Sequence, residues 1–502
     1  MRFLLLLLVA WAFVLTACEE TLVEPAYVGS VSVTVLDART SQPLANTALS
    51  TTPATGSYAT DAQGKAVLTA VPEGTVSIVA RRNGYDQLVS SVTVTRDQTQ
   101  SIVLLLTRAT NATPPSAADR PTPANGSINQ PVTLTLGWRP VNATKDDSLR
   151  YDVVLYESNN LNQRQLLTNR KDTTVTATGL LYNTTYYWQV TTRNLSGAAT
   201  RGPVWSFQTV ALPDNRYLYA RTVAGNTDIY SSDAAGGSLL RLTSSTTVET
   251  APQLSPNRDL VAYASNATGQ FQLYTMNRDG SNQRRITTLS AEGYNNAGVG
   301  YRWSPDGAQL IYAHYDQLYR INRDGTGLLL LATAPAGRHF RECDWTVQQG
   351  GRLVVQTMGV APYDSEIYLY NVDGSNPVLL VGNLPGRVDS PSFSVDGSTV
   401  LFTHDVAGFN SATGRQLDSH LFTQAITSTT AVDITLGAGA TGAGSKIAGT
   451  NDLTPRYSPT GFQIIFVNRD NDDIAPPEIW TCDISGRNRN KLFNNAFLPD
   501  FK

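Results

Sequence analysis

Alternation of apolar and polar residues, the mark of a half-buried strand, recurs along this chain. It runs through Val31-Ser32-Val33-Thr34-Val35, Val76-Ser77-Ile78-Val79 and Val92-Thr93-Val94, with turn residues between. These segments predict a small β-sandwich over 27–107. A second group, Leu136-Gly137-Trp138, Tyr151 to Tyr156, Leu180 to Val190 and Trp205-Ser206-Phe207, predicts another sandwich over 121–210. The stretch between them, 108–120, sets Pro114 and Pro115 among Ala, Thr and Asn. That composition stays extended and builds no core, so it reads as a linker.

From Asp214 onward the pattern repeats itself. Pro252-Gln253-Leu254-Ser255-Pro256, Tyr301-Arg302-Trp303-Ser304-Pro305-Asp306-Gly307, Pro391-Ser392-Phe393-Ser394-Val395-Asp396-Gly397 and Pro455-Arg456-Tyr457-Ser458-Pro459-Thr460-Gly461 open successive repeats, with Cys343-Asp344-Trp345-Thr346 as a weaker fifth. Each leads into an apolar strand such as Leu310-Ile311-Tyr312-Ala313. A third strand then ends in a turn such as Asn277-Arg278-Asp279-Gly280 or Asn322-Arg323-Asp324-Gly325. The Asp-Gly pairs predict hairpin turns with a left-handed glycine. Ser/Thr landmarks at 255, 304, 346, 394 and 458 stand 49, 42, 48 and 64 residues apart, against roughly 40 to 50 for a four-stranded propeller blade. The long interval holds a Gly/Ala/Thr-rich run from Leu436 to Thr450, read as part of an insertion over about 406–450. Tyr217 to Leu242 supplies three strands without an inner one, and Leu498-Pro499-Asp500-Phe501 matches the start of an inner strand. The expected fold is all-β, two small sandwiches followed by a six-bladed propeller over 214–502 closed by its C-terminal strand.

Three resemblances sharpen this. Gly29, Val31, Pro43-Leu44, Thr60-Asp61, Gly64, Pro72, Gly74 and Gly84-Tyr85 resemble the carboxypeptidase regulatory-like domain, a transthyretin-like sandwich that usually acts as a spacer and is sometimes linked to carbohydrate binding. Gly179-Leu180, Thr184, Tyr186 and Trp188, with Trp138, resemble a fibronectin type III domain, in which Tyr186 would form the tyrosine corner. Tyr182 and Asn183 replace that family's usual Pro-Gly. The Ser-Pro-Asp-Gly and Asn-Arg-Asp-Gly signatures are similar to the WD40-like repeats of TolB-type six-bladed propellers. That resemblance implies protein partners in the cell envelope, although true TolB has a different N-terminal domain.

Composition adds location. Charged residues make up 16%, 38 basic against 41 acidic, so nucleic acid is not an expected partner. Arg2, the apolar run Phe3 to Leu15 and Leu15-Thr16-Ala17-Cys18 form a leader too short for a transmembrane helix. Residues 1–17 resemble a bacterial lipoprotein signal peptide, which makes Cys18 the lipid anchor of an 18–26 tether. Glu19-Glu20 resembles the surface-export signal of Bacteroidota lipoproteins. The expected location is the outer membrane, on its periplasmic or cell-surface face. Cys343 and Cys482 remain, far apart, and read as packed, unpaired thiols.

Catalytic signals are sparse. Four histidines at 314, 339, 404 and 420 have no metal-ligand spacing, and there is neither a GxSxG elbow nor an α/β segment to carry one. No cofactor, metal or catalytic residue is expected. Asp470-Asn471-Asp472-Asp473 lacks the rest of a calcium loop and reads as a solvated hairpin. An acid precedes the inner-strand proline in Glu249, Asp389 and Asp452. If these positions are equivalent, the carboxylates gather at the channel mouth beside Arg338, His339 and Arg341, forming a charged rim for a partner. The bland alternative is that they satisfy local donors. Loop aromatics Tyr294, Tyr315, Phe340 and Tyr363 suggest a rival, a surface glycan ligand. A third reading makes Glu342 and Asp344 channel carboxylates of an enzyme. The favoured expectation is a monomeric, non-enzymatic protein-binding scaffold.

Overall fold

The computed structural model describes residues 27–502 except 110–113, 142–148, 159, 195–197 and 436–445. Cys18, the leader and Glu19-Glu20 lie outside the described residues, as do parts of the linker and of the Gly/Ala/Thr run. Among the described residues every regular element is a strand, and the chain divides into two compact units between Ala211 and Leu212.

The first unit contains both sandwiches. In the first, Val28–Asp37 lies between Lys65–Pro72 and Thr99–Leu106, parallel to the latter, and the facing sheet carries Ser57–Ala59, Ala48–Thr52, Gly74–Arg81 and Leu88–Val94. Alternation does what it predicts: Val31, Val33 and Val35 are fully buried against Leu68 and Ile78. Arg108, assigned to the linker, instead closes this sandwich. It bridges to Tyr85 and its Nε donates to Asp37 at 2.9 Å. That guanidinium, with the Thr40 N–H and the Tyr85 hydroxyl, holds the Asp37 carboxyl well below the usual carboxylate range.

The second sandwich sets a three-stranded sheet (Thr174–Ala177, Leu134–Arg139, Asp119–Thr122) against a five-stranded one (Asn160–Arg170, Arg150–Glu157, Thr185–Arg193, Ala199–Thr209, Ser127–Gln130). Its core is aromatic. The Trp188 ring lies 6.4 Å from Trp138 and 4.8 Å from Trp205, and the Tyr186 hydroxyl accepts the Leu181 N–H at 2.8 Å. These rings form the core, as a sandwich of this size requires.

The second unit is a ring of six antiparallel four-stranded blades. Their inner strands are Phe497–Phe501, Glu249–Leu254, Tyr301–Trp303, His339–Thr346, Val388–Phe393 and Thr450–Tyr457, numbered here as blades 1 to 6. Blade 1 mixes both ends of the unit: Phe497–Phe501 pairs with Tyr217–Val223, and the Tyr217 and Phe501 rings stack at 5.3 Å. Apolar clusters fill the spaces between blades, for example Leu218, Ile229, Leu254 and Val261 between blades 1 and 2. The insertion needs correction. The outer strands of blade 5, Ser419–Ala425 and Val432–Asp433, lie inside 406–450, so those residues belong to the blade and not to an insertion. Cys343 and Cys482 are buried and unpaired, and burial pushes the Cys482 thiol up to about 12.

Candidate functional site: the propeller channel and its two mouths

Four inner strands share one distortion. Ala251, Ser390, Thr454 and Leu498 are left-handed, with φ of 48°, 54°, 47° and 49°, and each precedes a proline, at 252, 391, 455 and 499. Strand register slips at each of these points. A bulge of this kind re-aims the residues that follow, and here the residue after each proline lines one end of the channel: Gln253, Ser392, Arg456 and Asp500. Arg302 and Asp344 complete the set, one side chain from every blade.

The charged members of this set pair with one another, while Gln253 Oε1 and Arg302 Nε keep no hydrogen-bond partner. Arg302 Nε stands 3.3 Å from Asp344 and its Nη1 3.8 Å from Asp500. Burial presses the Arg302 guanidinium toward losing its proton, but Asp344 and Asp500 more than offset this and leave it more basic than usual. Asp500 also accepts the Leu254 N–H and Asp344 the Phe393 N–H, both at 2.9 Å. Glu342 accepts from Ser390 Oγ at 3.0 Å and pairs with Arg456 at 3.3 Å. Charged side chains thus stitch neighbouring blades together, and the channel between them narrows to a void of about 20 Å³.

At one mouth the channel widens into a funnel of about 280 Å³. Its lip is built by the repeat signature. In Ser304-Pro305-Asp306-Gly307 the Ser304 hydroxyl donates to Asp306 at 2.6 Å and accepts the Gln309 N–H at 2.8 Å, while Gly307 donates to the Ser304 carbonyl. The tight turn leaves Pro305 exposed, and Val395 and Pro459 stand out equivalently from blades 5 and 6. In the sequence this motif reads only as a repeat landmark. Its signal as a site was the recurrence of an apolar residue directly after each serine.

At the opposite mouth the three acids do not stand out as an exposed rim: Glu249, Asp389 and Asp452 are 3%, 5% and 0% exposed. They are not equivalent either: Asp389 stands two residues before its proline and the others three, and one residue in a strand reverses the face. Glu249 accepts from the hydroxyls of Ser245, Thr247 and Ser265. Asp452 pairs with Arg489 at 2.6 Å and accepts from Asn468 at 3.0 Å. Asp389 faces Arg341 and Arg387, each at 2.5 Å, and accepts from Gln356 at 2.7 Å. Burial works against its ionisation, yet the two guanidiniums leave its carboxyl below the usual range.

The remaining candidates scatter. Tyr294 and His339 stack face to face at 3.6 Å with Tyr315 edge-on to His339 at 5.5 Å, and burial lowers the His339 pKa. Phe340, expected on a loop, is a fully buried inner-strand residue packed near Tyr370. Strand alternation turns it away from solvent. Tyr363 is half-buried in a turn. Arg338 pairs with Asp364 and Glu366. In the Asp470–Asp473 hairpin, Asp472 accepts the Ile474 N–H and Asp473 pairs with Arg469. No group of three metal-ligating side chains occurs among the described residues.

Two family matches bear on this architecture. Residues 30–107 match the carboxypeptidase regulatory-like domain, and residues 193–334 match the TolB beta propeller domain. Among solved structures the chain is similar to TolB from Acinetobacter baumannii, at 14% identity and TM-score 0.44, covering 63% of this chain and 79% of that one. A putative TolB from Agrobacterium tumefaciens has 16% identity and TM-score 0.40 over 56% and 90% of the two chains. An oligogalacturonate lyase in complex with manganese has 13% identity and TM-score 0.36 over 56% and 74%.

Proposed function

We propose that this protein is a lipid-anchored scaffold of the cell envelope that captures a protein partner at the funnel mouth of its propeller and performs no catalysis. The observation carrying this reading is the funnel itself, an apolar lip of Pro305, Val395 and Pro459 over a floor whose charges are already paired. An apolar collar around an ion-paired polar centre suits recognition by shape. General acid–base chemistry needs a group free to exchange its proton with substrate. Glu342 and Asp344 instead spend their oxygens on Arg456, Ser390, Arg302 and the Phe393 N–H. The TolB beta propeller match is consistent with a binding role.

The Leu15-Thr16-Ala17-Cys18 leader supports the lipid anchor and an outer-membrane address. The Tyr186 corner and the Trp138 core support a fibronectin type III identity for the second sandwich. The two sandwiches then act as spacers. A photo-crosslinking amino acid at position 395, introduced into the full chain in cells, is expected to trap an envelope protein, and Pro459→Arg to abolish the adduct. An adduct pattern untouched by Pro459→Arg, or none at all, overturns the reading. A glycan ligand has less support, because Tyr294 and His339 cover each other's faces.

A further inference from the structure

Away from the funnel, two cavities of the ring lie side by side and share lining residues, and together they are termed the cleft. The larger, about 400 Å³, opens between blades 6 and 1 against Leu453, Val467, Pro477, Phe497 and Leu498. The smaller, about 210 Å³, is lined by Arg341, Arg387, Arg415 and Arg469 with only Asp389 and Asp473 opposing them. Leu453, Thr454 and Arg469 border both, so an apolar trough adjoins a basic pocket.

The basic pocket carries more positive charge than its own acids neutralise. Arg341 is shared between Asp389 and Glu342, Asp389 also takes Arg387 and Asp473 takes Arg469, which leaves the exposed Arg415, whose Nε donates to the Asn471 carbonyl, without an acid among the described residues. Arg387 is more easily deprotonated than an ordinary arginine, chiefly through burial, with Arg341 adding repulsion. Four polar atoms at the cleft are buried without a hydrogen-bond partner: Gln416 Oε1, on a residue 8% exposed, Thr454 Oγ1, and the ion-paired Arg387 Nε and Arg469 Nε. Unpaired buried acceptors are costly and native proteins seldom keep them without cause.

These features specify a ligand. Excess guanidinium calls for a carboxylate, which arginine binds with strong charge-assisted hydrogen bonds. The trough calls for large apolar side chains, and its volume falls in the range of small-ligand pockets. The lone acceptors call for N–H donors, which a peptide backbone has and a fatty acid lacks. We propose that the cleft across blades 5, 6 and 1 binds a peptide segment in which a carboxylate stands beside one or two large apolar residues. This rests on reading the propeller as protein-binding but places a second contact at a different mouth.

The test uses fluorescence anisotropy on the full chain with three labelled pentapeptides. One is blocked at both ends with the order serine, aspartate, phenylalanine, leucine, serine; one replaces aspartate by asparagine; one has no acidic side chain and ends in a free phenylalanyl-leucine carboxylate. Saturable binding is expected for the first or the third, which tells an internal acid from a chain terminus. Replacing the acid by its amide, or introducing Arg415→Ala or Thr222→Trp, is expected to weaken binding by about tenfold or more. The folded state of each variant is checked by its melting curve. Absence of saturable binding, or affinity within about twofold for acid and amide, overturns the proposal. Crosslinking from position 395 is read separately, so a silent cleft with an intact funnel adduct rejects this inference alone.

Discussion

A methyl group added at Gly486 would stand 2.0 Å from the Ile434 carbonyl oxygen, on a backbone already at φ +78°. The same arrangement recurs where Gly280 meets Leu242, Gly325 meets Ile286 and Gly374 meets Leu331. The glycine turn of one blade, Asp-Gly in three of these four, is therefore pressed onto the outer-strand end of the blade before it, and glycine meets both a steric and a conformational demand. Gly236, at φ +72°, has nothing within 4 Å of such a methyl group. Gly486→Ala is expected to cost more than the roughly 1–2 kcal/mol of the left-handed conformation alone, and Gly236→Ala no more than that; urea unfolding of the two variants checks the difference. Asp37 offers a pH readout. Its carboxyl is held well below its ordinary pKa by Arg108 first, then by the Thr40 N–H and the Tyr85 hydroxyl, so it stabilises the fold above the ordinary value and ceases to as pH falls through the lowered one. Asp37→Asn should melt below the parent at pH 7, with the gap closing below about pH 4. Calorimetry of the two proteins across that window decides, and a gap independent of pH contradicts the account.

Tyr186 ties the start of its own strand to the Leu181 N–H, and Tyr186→Phe removes that bond. A loss of about 1 kcal/mol is expected, read from the fluorescence of Trp138, Trp188 and Trp205, which all lie in this sandwich. Strands such as Val28–Asp37 were legible because alternation and burial coincide, valine by valine. The blade repeat was legible for a different reason: its turns need particular residues, and Asp306, Asp396, Asp279 and Asp324 each bond the backbone of their own turn. Where that chemistry is missing, legibility stops. The outer hairpin of blade 5 turns through Ser428 and Thr430 without an Asp-Gly pair, so its strands were read as insertion. The rim failed at the level of register, since an acid two residues before proline and one three residues before it face opposite ways. The funnel lip was missed because periodicity reports which residues are buried, and says nothing about which exposed residues converge in space.

Ring closure belongs to the whole molecule. Phe497–Phe501 supplies the innermost strand of blade 1, stacks Phe501 on Tyr217 and lends Asp500 to the Leu254 N–H of blade 2. Removing 497–502 from a fragment spanning 212–502 leaves two blades without partners, and its melting temperature should fall by several degrees, roughly 2–4 °C for each kcal/mol lost. An unchanged melt argues against closure by this strand. At the same scale, Cys18→Ala should release the protein from membranes into the soluble fraction, and palmitate labelling that survives it rejects the anchor. Closure also sets a timetable. Because the first blade waits for residues made almost 300 positions after Tyr217, the propeller stays an open stack with bare edges until translation has passed Phe497. A ribosome product cut short anywhere in the last blade therefore exposes unpaired strand to proteases, and the fold inspects its own completeness before it persists.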